Sequence, residues 1–180
     1  MGALAAEQPL VTTVTFAAVM GLAALLDLTS RRIPNALTVT AVVLGLLLRV
    51  PLGLHAVIAG ILGIGLALVL TTPLFLVGAL GGGDAKLLAA VGAFMGPGRL
   101  IGACLLIALV GGIVAVLDAV RRGVLLRVLL NTYHTVVGWL SPARSGVPIS
   151  ISSPTAMTIP YGVPIAVGSL AWWLWGGATV

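Results

Sequence analysis

Residues Leu54 to Leu80, LHAVIAGILGIGLALVLTTPLFLVGAL, run without one aspartate, glutamate, lysine or arginine. The hydrocarbon core of a bilayer is about 30 Å thick and takes about 20 apolar residues to cross as a helix. Lipid offers no hydrogen-bond partner to the backbone, so a run of this kind reads as a membrane helix and not as an open strand. Outward from it the same alternation of apolar run and punctuation repeats. The pattern predicts six helices, at about 10–26, 36–48, 54–80, 85–95, 100–119 and 159–175. Residues 1–180 then form a single membrane-embedded domain, an all-α polytopic bundle of six transmembrane helices.

Composition agrees. Hydrophobic residues make up 60% of the chain and charged residues 7%, against about 25% charged in a soluble domain. The mean hydropathy is +1.24. A formal charge of +5 raises the question of nucleic acid, but the nine basic residues lie scattered in the connections and form no basic stripe. They read as topology signals, so no nucleic-acid partner is expected, and membrane lipid is. Cys104 is the single cysteine, which excludes a disulfide framework and a Cys-rich zinc site. His55 and His134 stand far apart with no neighbouring ligand types. Neither a metal nor a cofactor is expected. The first segment lacks the basic n-region of a secretory signal and reads as a retained helix.

Orientation follows from the bias of basic residues toward the inner side. If the first helix runs inward, the inner connections hold Arg31, Arg32, Lys86, Arg121, Arg122, Arg127 and Arg144, and the outer ones only Arg49 and Arg99. Both termini then lie outside. Arg121, Arg122 and Arg127 among Val124, Leu125, Leu126, Val128, Leu129 and Leu130 predict an amphipathic segment on the cytoplasmic face, and Ser141 to Thr158 an irregular loop. Gly60/Gly63, Gly92/Gly96 and Gly98/Gly102 have the close spacing that lets membrane helices approach. Trp139, Trp172, Trp173 and Trp175 read as interfacial anchors.

Only four residues are acidic, and two are oddly placed. Asp27 closes the first helix, facing the unfavourable end of its dipole. Arg31 and Arg32 could offset that. Asp84 follows Gly81-Gly82-Gly83 and opens the fourth helix, where an aspartate is an ordinary N-cap. The cap does not explain three successive glycines, each entropically unfavourable; a close backbone partner, such as an extended substrate, would. Lys86 is either a basic residue snorkelling to the interface or a group that steadies a substrate carbonyl. Asp118 has the spacing of a local ion pair with Arg121 or Arg122, and Glu7 reads as a solvated charge. In the predicted topology Asp27 and Asp84 share one face. Two carboxylates in proximity cannot both ionise easily, so one can activate water while the other donates a proton. That is metal-free peptide hydrolysis. Ser169 lacks the context of an activated nucleophile, and no His-Glu-x-x-His zinc motif occurs.

The run Asp27-Leu-Thr-Ser-Arg-Arg-Ile-Pro-Asn35 after a first apolar helix, together with Gly81-Gly-Gly-Asp-Ala-Lys-Leu-Leu88, resembles the type IV prepilin peptidases, the bacterial branch of the GxGD aspartyl proteases. Ile159-Pro-Tyr-Gly-Val-Pro-Ile165 also resembles that family, so the likeness spans Asp27 to about Leu170. It implies that Asp27 and Asp84 are catalytic, with Gly81 and Gly83 the motif glycines. It also implies a plasma-membrane enzyme that cleaves a short basic leader from a prepilin at the cytoplasmic face. The long members of the family carry paired Cys-x-x-Cys motifs and also N-methylate their product. This chain is closer to the short members of tight-adherence (Flp-type) pilus systems, so cleavage without methylation is expected. Gly81, Gly82, Gly83 and Lys86 would contact the substrate. The alternatives are a peptidase for pseudopilins or competence pilins, a non-catalytic scaffold of a pilus or secretion assembly, and a small proton-coupled carrier. The last is disfavoured because its carboxylates belong at the bilayer midplane.

Overall fold

All regular structure among the described residues of the computed structural model is helical. These are residues 10–126, 128–130, 133 and 161–176. The helices are α1 (Leu10–Ser30), α2 (Asn35–Leu47), α3 (Leu54–Leu76), α4 (Gly82–Arg121) and α5 (Gly162–Gly176), with a 3-10 turn at Val50–Leu52. Among the described residues, four segments are long and apolar enough to cross a membrane: Leu10–Ser30, Asn35–Leu52, Leu54–Leu76 and Gly82–Arg121. Their outward faces are apolar, with Ile61, Leu62, Val69 and Leu105 all more than half exposed. In a membrane protein that is the lipid-facing surface.

The sequence places the helices well and their ends less well. The third helix stops at Leu76 and not at Leu80, because Gly78 takes a left-handed φ of 75°. Its N–H bonds Phe75 and that of Ala79 bonds Leu74, at 3.0 and 2.8 Å, the paired closure that satisfies the last carbonyls of a helix. α1 runs one turn past Leu26. The last helix begins at Gly162; residues 159–160 lie outside the described residues, as does most of the stretch from 131 to 158 with its predicted loop.

The predicted fourth and fifth helices are halves of α4, which breaks at Gly96 (φ 73°, ψ 175°) before Pro97. A straight helix of 40 residues would be about 60 Å long, twice the hydrocarbon thickness. Residues 82–95 run antiparallel to α3, with Gly82 beside Phe75 and Gly92 against Gly63. Residues 97–111 return antiparallel to α5, with Gly102 under Trp172 and Ile107 against Gly168. The chain therefore reverses at Gly96.

That reversal leaves Ala93 without its usual donor, since Pro97 has no N–H. Arg49 replaces it. Its guanidinium donates to the carbonyls of Ala93, Phe94 and Ala56 at 2.8, 2.7 and 2.9 Å. Arg99 does the same for α5, donating to the Trp173 carbonyl at 3.1 Å with its guanidinium over the Trp173 ring. Both arginines therefore have a structural reason to be where they are. Arg49→Ala should lower thermal stability by about 2 kcal/mol, the scale of charge-assisted hydrogen bonds lost to water. Arg49→Lys should restore little, because one ammonium cannot span three carbonyls. Thermal unfolding in detergent measures both, and an unchanged Arg49→Ala midpoint would refute the capping role.

The chain falls into two compact units, residues 1–111 with 160–180 and residues 112–159. In the first, the core is built from Phe16, Met20, Leu87, Val91, Leu100 and Ile165. Trp173 belongs to this core. It is buried, packs its ring on Phe16 at 4.9 Å between centroids and donates its indole N–H to Thr13 at 3.2 Å. The interfacial reading fails for it because every face of α5 is apolar, so composition cannot tell inward from outward. Trp172 is half-buried against Gly102 and Trp175 is exposed; Trp139 lies outside the described residues. In the second unit, Asp118 pairs with Arg122 at 2.8 Å, the predicted local pair. There α4 ends in a second closure of the same kind, Gly123 bonding Val120 and Val124 bonding Ala119.

Candidate active site

Asp27 lies in the last turn of α1, which ends where Arg31 adopts a left-handed φ of 50° and bonds its N–H to the Asp27 carbonyl at 2.9 Å. The Asp27 side chain is 5% exposed. Its Oδ2 accepts the backbone N–H of Gly162 at 2.7 Å. Gly162 is the first residue of α5, and the first N–H groups of a helix have no partner within it. Asp27 therefore meets the positive end of another helix, which offsets the unfavourable end of its own. The sequence shows the second effect and hides the first, because the two residues lie 135 positions apart.

Asp84 is half-buried at the start of α4. The sequence suggests it as the N-cap; the structure makes it the third residue of the helix. Its carboxylate reaches back over Gly81, the true cap position, in the direction of the returning arm of a capping box. The two aspartates, from α1 and α4, lie at the same end of this unit, where the chain after Asp27 packs on the chain around Asp84. Arg49, Arg99 and Trp173 occupy the other.

The flanking residues converge with them. A Cβ on Gly83 would stand 3.3 Å from Ile33, and one on Gly82 would stand 3.3 Å from the Phe75 ring. One on Gly81 would meet Asp84 Oδ2 at 2.8 Å. The close approach that the glycine run predicts is met in part within the chain itself, the sequence having named an extended substrate as one such partner. Lys86, exposed, donates to Asn35 Oδ1 at 2.8 Å. The run from Arg31 to Asn35 is in this way pinned to the run from Gly81 to Lys86 at two points. Arg32 is exposed beside it.

Three other candidate groups among the described residues take no part in this cluster. Ser169 is buried and donates to the Ala166 carbonyl at 3.2 Å, His55 is exposed, and Cys104 is a half-buried free thiol. The residue that the sequence reading missed is Gly162. Its signal was present in Tyr161-Gly162-Val163-Pro164, a proline in the first turn of a helix, but nothing local says which carboxylate that helix end faces.

A family model described as the type IV leader peptidase family matches residues 14–116, more than half of the chain. The matched stretch holds both aspartates and stops before α5. No match was found among curated proteins or among solved structures.

Proposed function

The chain belongs to the type IV leader peptidase family, an aspartic-type peptidase family, and on that footing we propose that Asp27 and Asp84 form the catalytic dyad of a membrane aspartic endopeptidase. The observation that carries this reading is the convergence of the two segments that hold the carboxylates, the run after Asp27 being packed on the run around Asp84 through Ile33 against Gly83 and Asn35 bonded to Lys86. Like charges at short range favour a pair that holds one proton between two acids. The ionised member takes a proton from water as its oxygen attacks the scissile carbonyl carbon. The protonated member gives its proton to the carbonyl oxygen. When the tetrahedral diol collapses, the C–N bond breaks and the leaving nitrogen takes the proton held by the first aspartate. A diol hydroxyl returns one to the second. The dyad ends as it began, with one proton.

The substrate is a prepilin-like protein with a basic leader and a hydrophobic helix, cleaved at the cytoplasmic face of the plasma membrane. Gly81, Gly82 and Gly83 present backbone to the extended cleavage segment, and Lys86 steadies a carbonyl beside it. Residues 1–180 act as one peptidase domain of six membrane helices with both termini outside. The basic, leucine-rich stretch after α4 lies along the inner leaflet. The reaction in this reading is cleavage without methylation, as for Flp-type pilins.

Co-expression with candidate prepilins tests this reading: the pilin band should shift to the mature length on gels. In purified form the cleavage rate should show a bell-shaped pH profile whose two limbs belong to the pair. A rate that stayed flat across both limbs, or the absence of processing for every pilin-like partner, would count against it.

A further inference from the structure

Gly162 is a helical glycine with no unusual backbone angle; the positive-φ glycines are Gly53, Gly78, Gly96 and Gly123. Conformation therefore does not require glycine there, and alanine is the better helix former. Space does require it. A Cβ at 162 would stand 2.8, 2.9 and 3.0 Å from Oδ2, Cβ and Cγ of Asp27. The Asp27 Cβ is fixed by its own backbone, so no rotamer of Asp27 moves it aside. The helices are also unable to part easily. α5 is held to α1 through Trp173 and Thr13 at 3.2 Å and through the Phe16 ring, and Gly168 is seated on Ile107.

We propose that Gly162 is a positioning residue for Asp27, leaving the room its carboxyl occupies and tying Oδ2 with a backbone N–H so that Oδ1 is the oxygen that handles protons. The assignment rests on the dyad reading above. It adds a third helix to the site, from a part of the chain beyond the matched family stretch.

The test is Gly162→Ala in the full chain, purified from membranes. Displacement of a catalytic group by about 1 Å lowers turnover by about 100-fold. kcat for prepilin should fall by that order, with KM within about threefold of wild type by the same reasoning, since contacts to the substrate remain. Gly168→Ala is the control: its methyl would meet Ile107 at 2.7 Å in the same helix, away from Asp27. An equal loss there would overturn the proposal, since helix displacement alone would then explain it. A second readout needs no substrate. Only Asp27, Asp84 and Asp118 are aspartates, so protein labelled with 13C at aspartate carboxyls resolves them. The Asp27 resonance should move in Gly162→Ala and stay in Gly168→Ala, with Asp118 unchanged in both. An unmoved Asp27 resonance overturns the positioning role whatever the activity. A moved resonance in an enzyme that cleaves no prepilin supports the positioning role and removes the peptidase reading instead.

Discussion

Asp27→Asn and Asp84→Asn should each reduce leader removal by at least about 1000-fold, the scale of general acid and base contributions, and should leave the protein folded. The loss follows from the proton count. An amide neither takes the proton of the attacking water nor gives one to the carbonyl oxygen, so either substitution stops the cycle. The fold should survive because the amide oxygen at position 27 can still accept the Gly162 N–H, and because Asp84 is only half-buried. The double variant should be no slower than the slower single one, since residues acting as a unit are not additive. Asp118→Asn is the matched control. Its pair with Arg122 is partly exposed, and such pairs contribute about 0–1 kcal/mol, so cleavage should be unaffected. Gel mobility of a co-expressed pilin and detergent melting curves read the two effects separately. Full processing by either single variant would remove that aspartate from the dyad.

What the sequence discloses here depends on how local the physics is. The long apolar runs are legible because lipid leaves the backbone one solution, and the Gly96-Pro97 break because a proline without an N–H ends a helix wherever it packs. The aspartates were legible for a different reason: four acids in 180 residues make any carboxylate at a helix edge conspicuous. The remainder depends on partners far along the chain. Gly162 beside Asp27 and Arg49 beneath Ala93 leave no local trace, since a backbone N–H or a capped carbonyl has no residue identity. Gly81 to Gly83 show a related ambiguity. A need for close approach could be read from three glycines, but Ile33, Phe75 and Asp84 as the approaching atoms could not. Trp173 shows the limit of amphipathic reasoning in a membrane protein, where lipid and core are equally apolar and burial has no period to display.

Gly63→Val should destabilise the protein by more than about 3 kcal/mol, at the upper end for overpacking, while Gly65→Val should be tolerated. The two positions share α3 and lie two residues apart, about 200° around a helix. Gly63 is buried, and any Cβ on it would overlap the carbonyl of Gly92; a Cβ on Gly92 would in turn overlap the carbonyl of Gly63. Backbone stands against backbone, and no rotamer relieves the contact. Around Gly65 nothing lies within 4 Å, so a valine there projects into lipid. Where packing and not water drives helices together, forcing α3 away from residues 82–95 removes contact along the whole seam. That seam begins beside Asp84. The melting midpoint of Gly63→Val should fall by roughly 10 °C, or the variant should fail to accumulate, and prepilin cleavage should fall with it. Gly65→Val should match wild type in both. Equal tolerance at 63 and 65 would mean that the α3 seam does not hold the Asp84 segment in place.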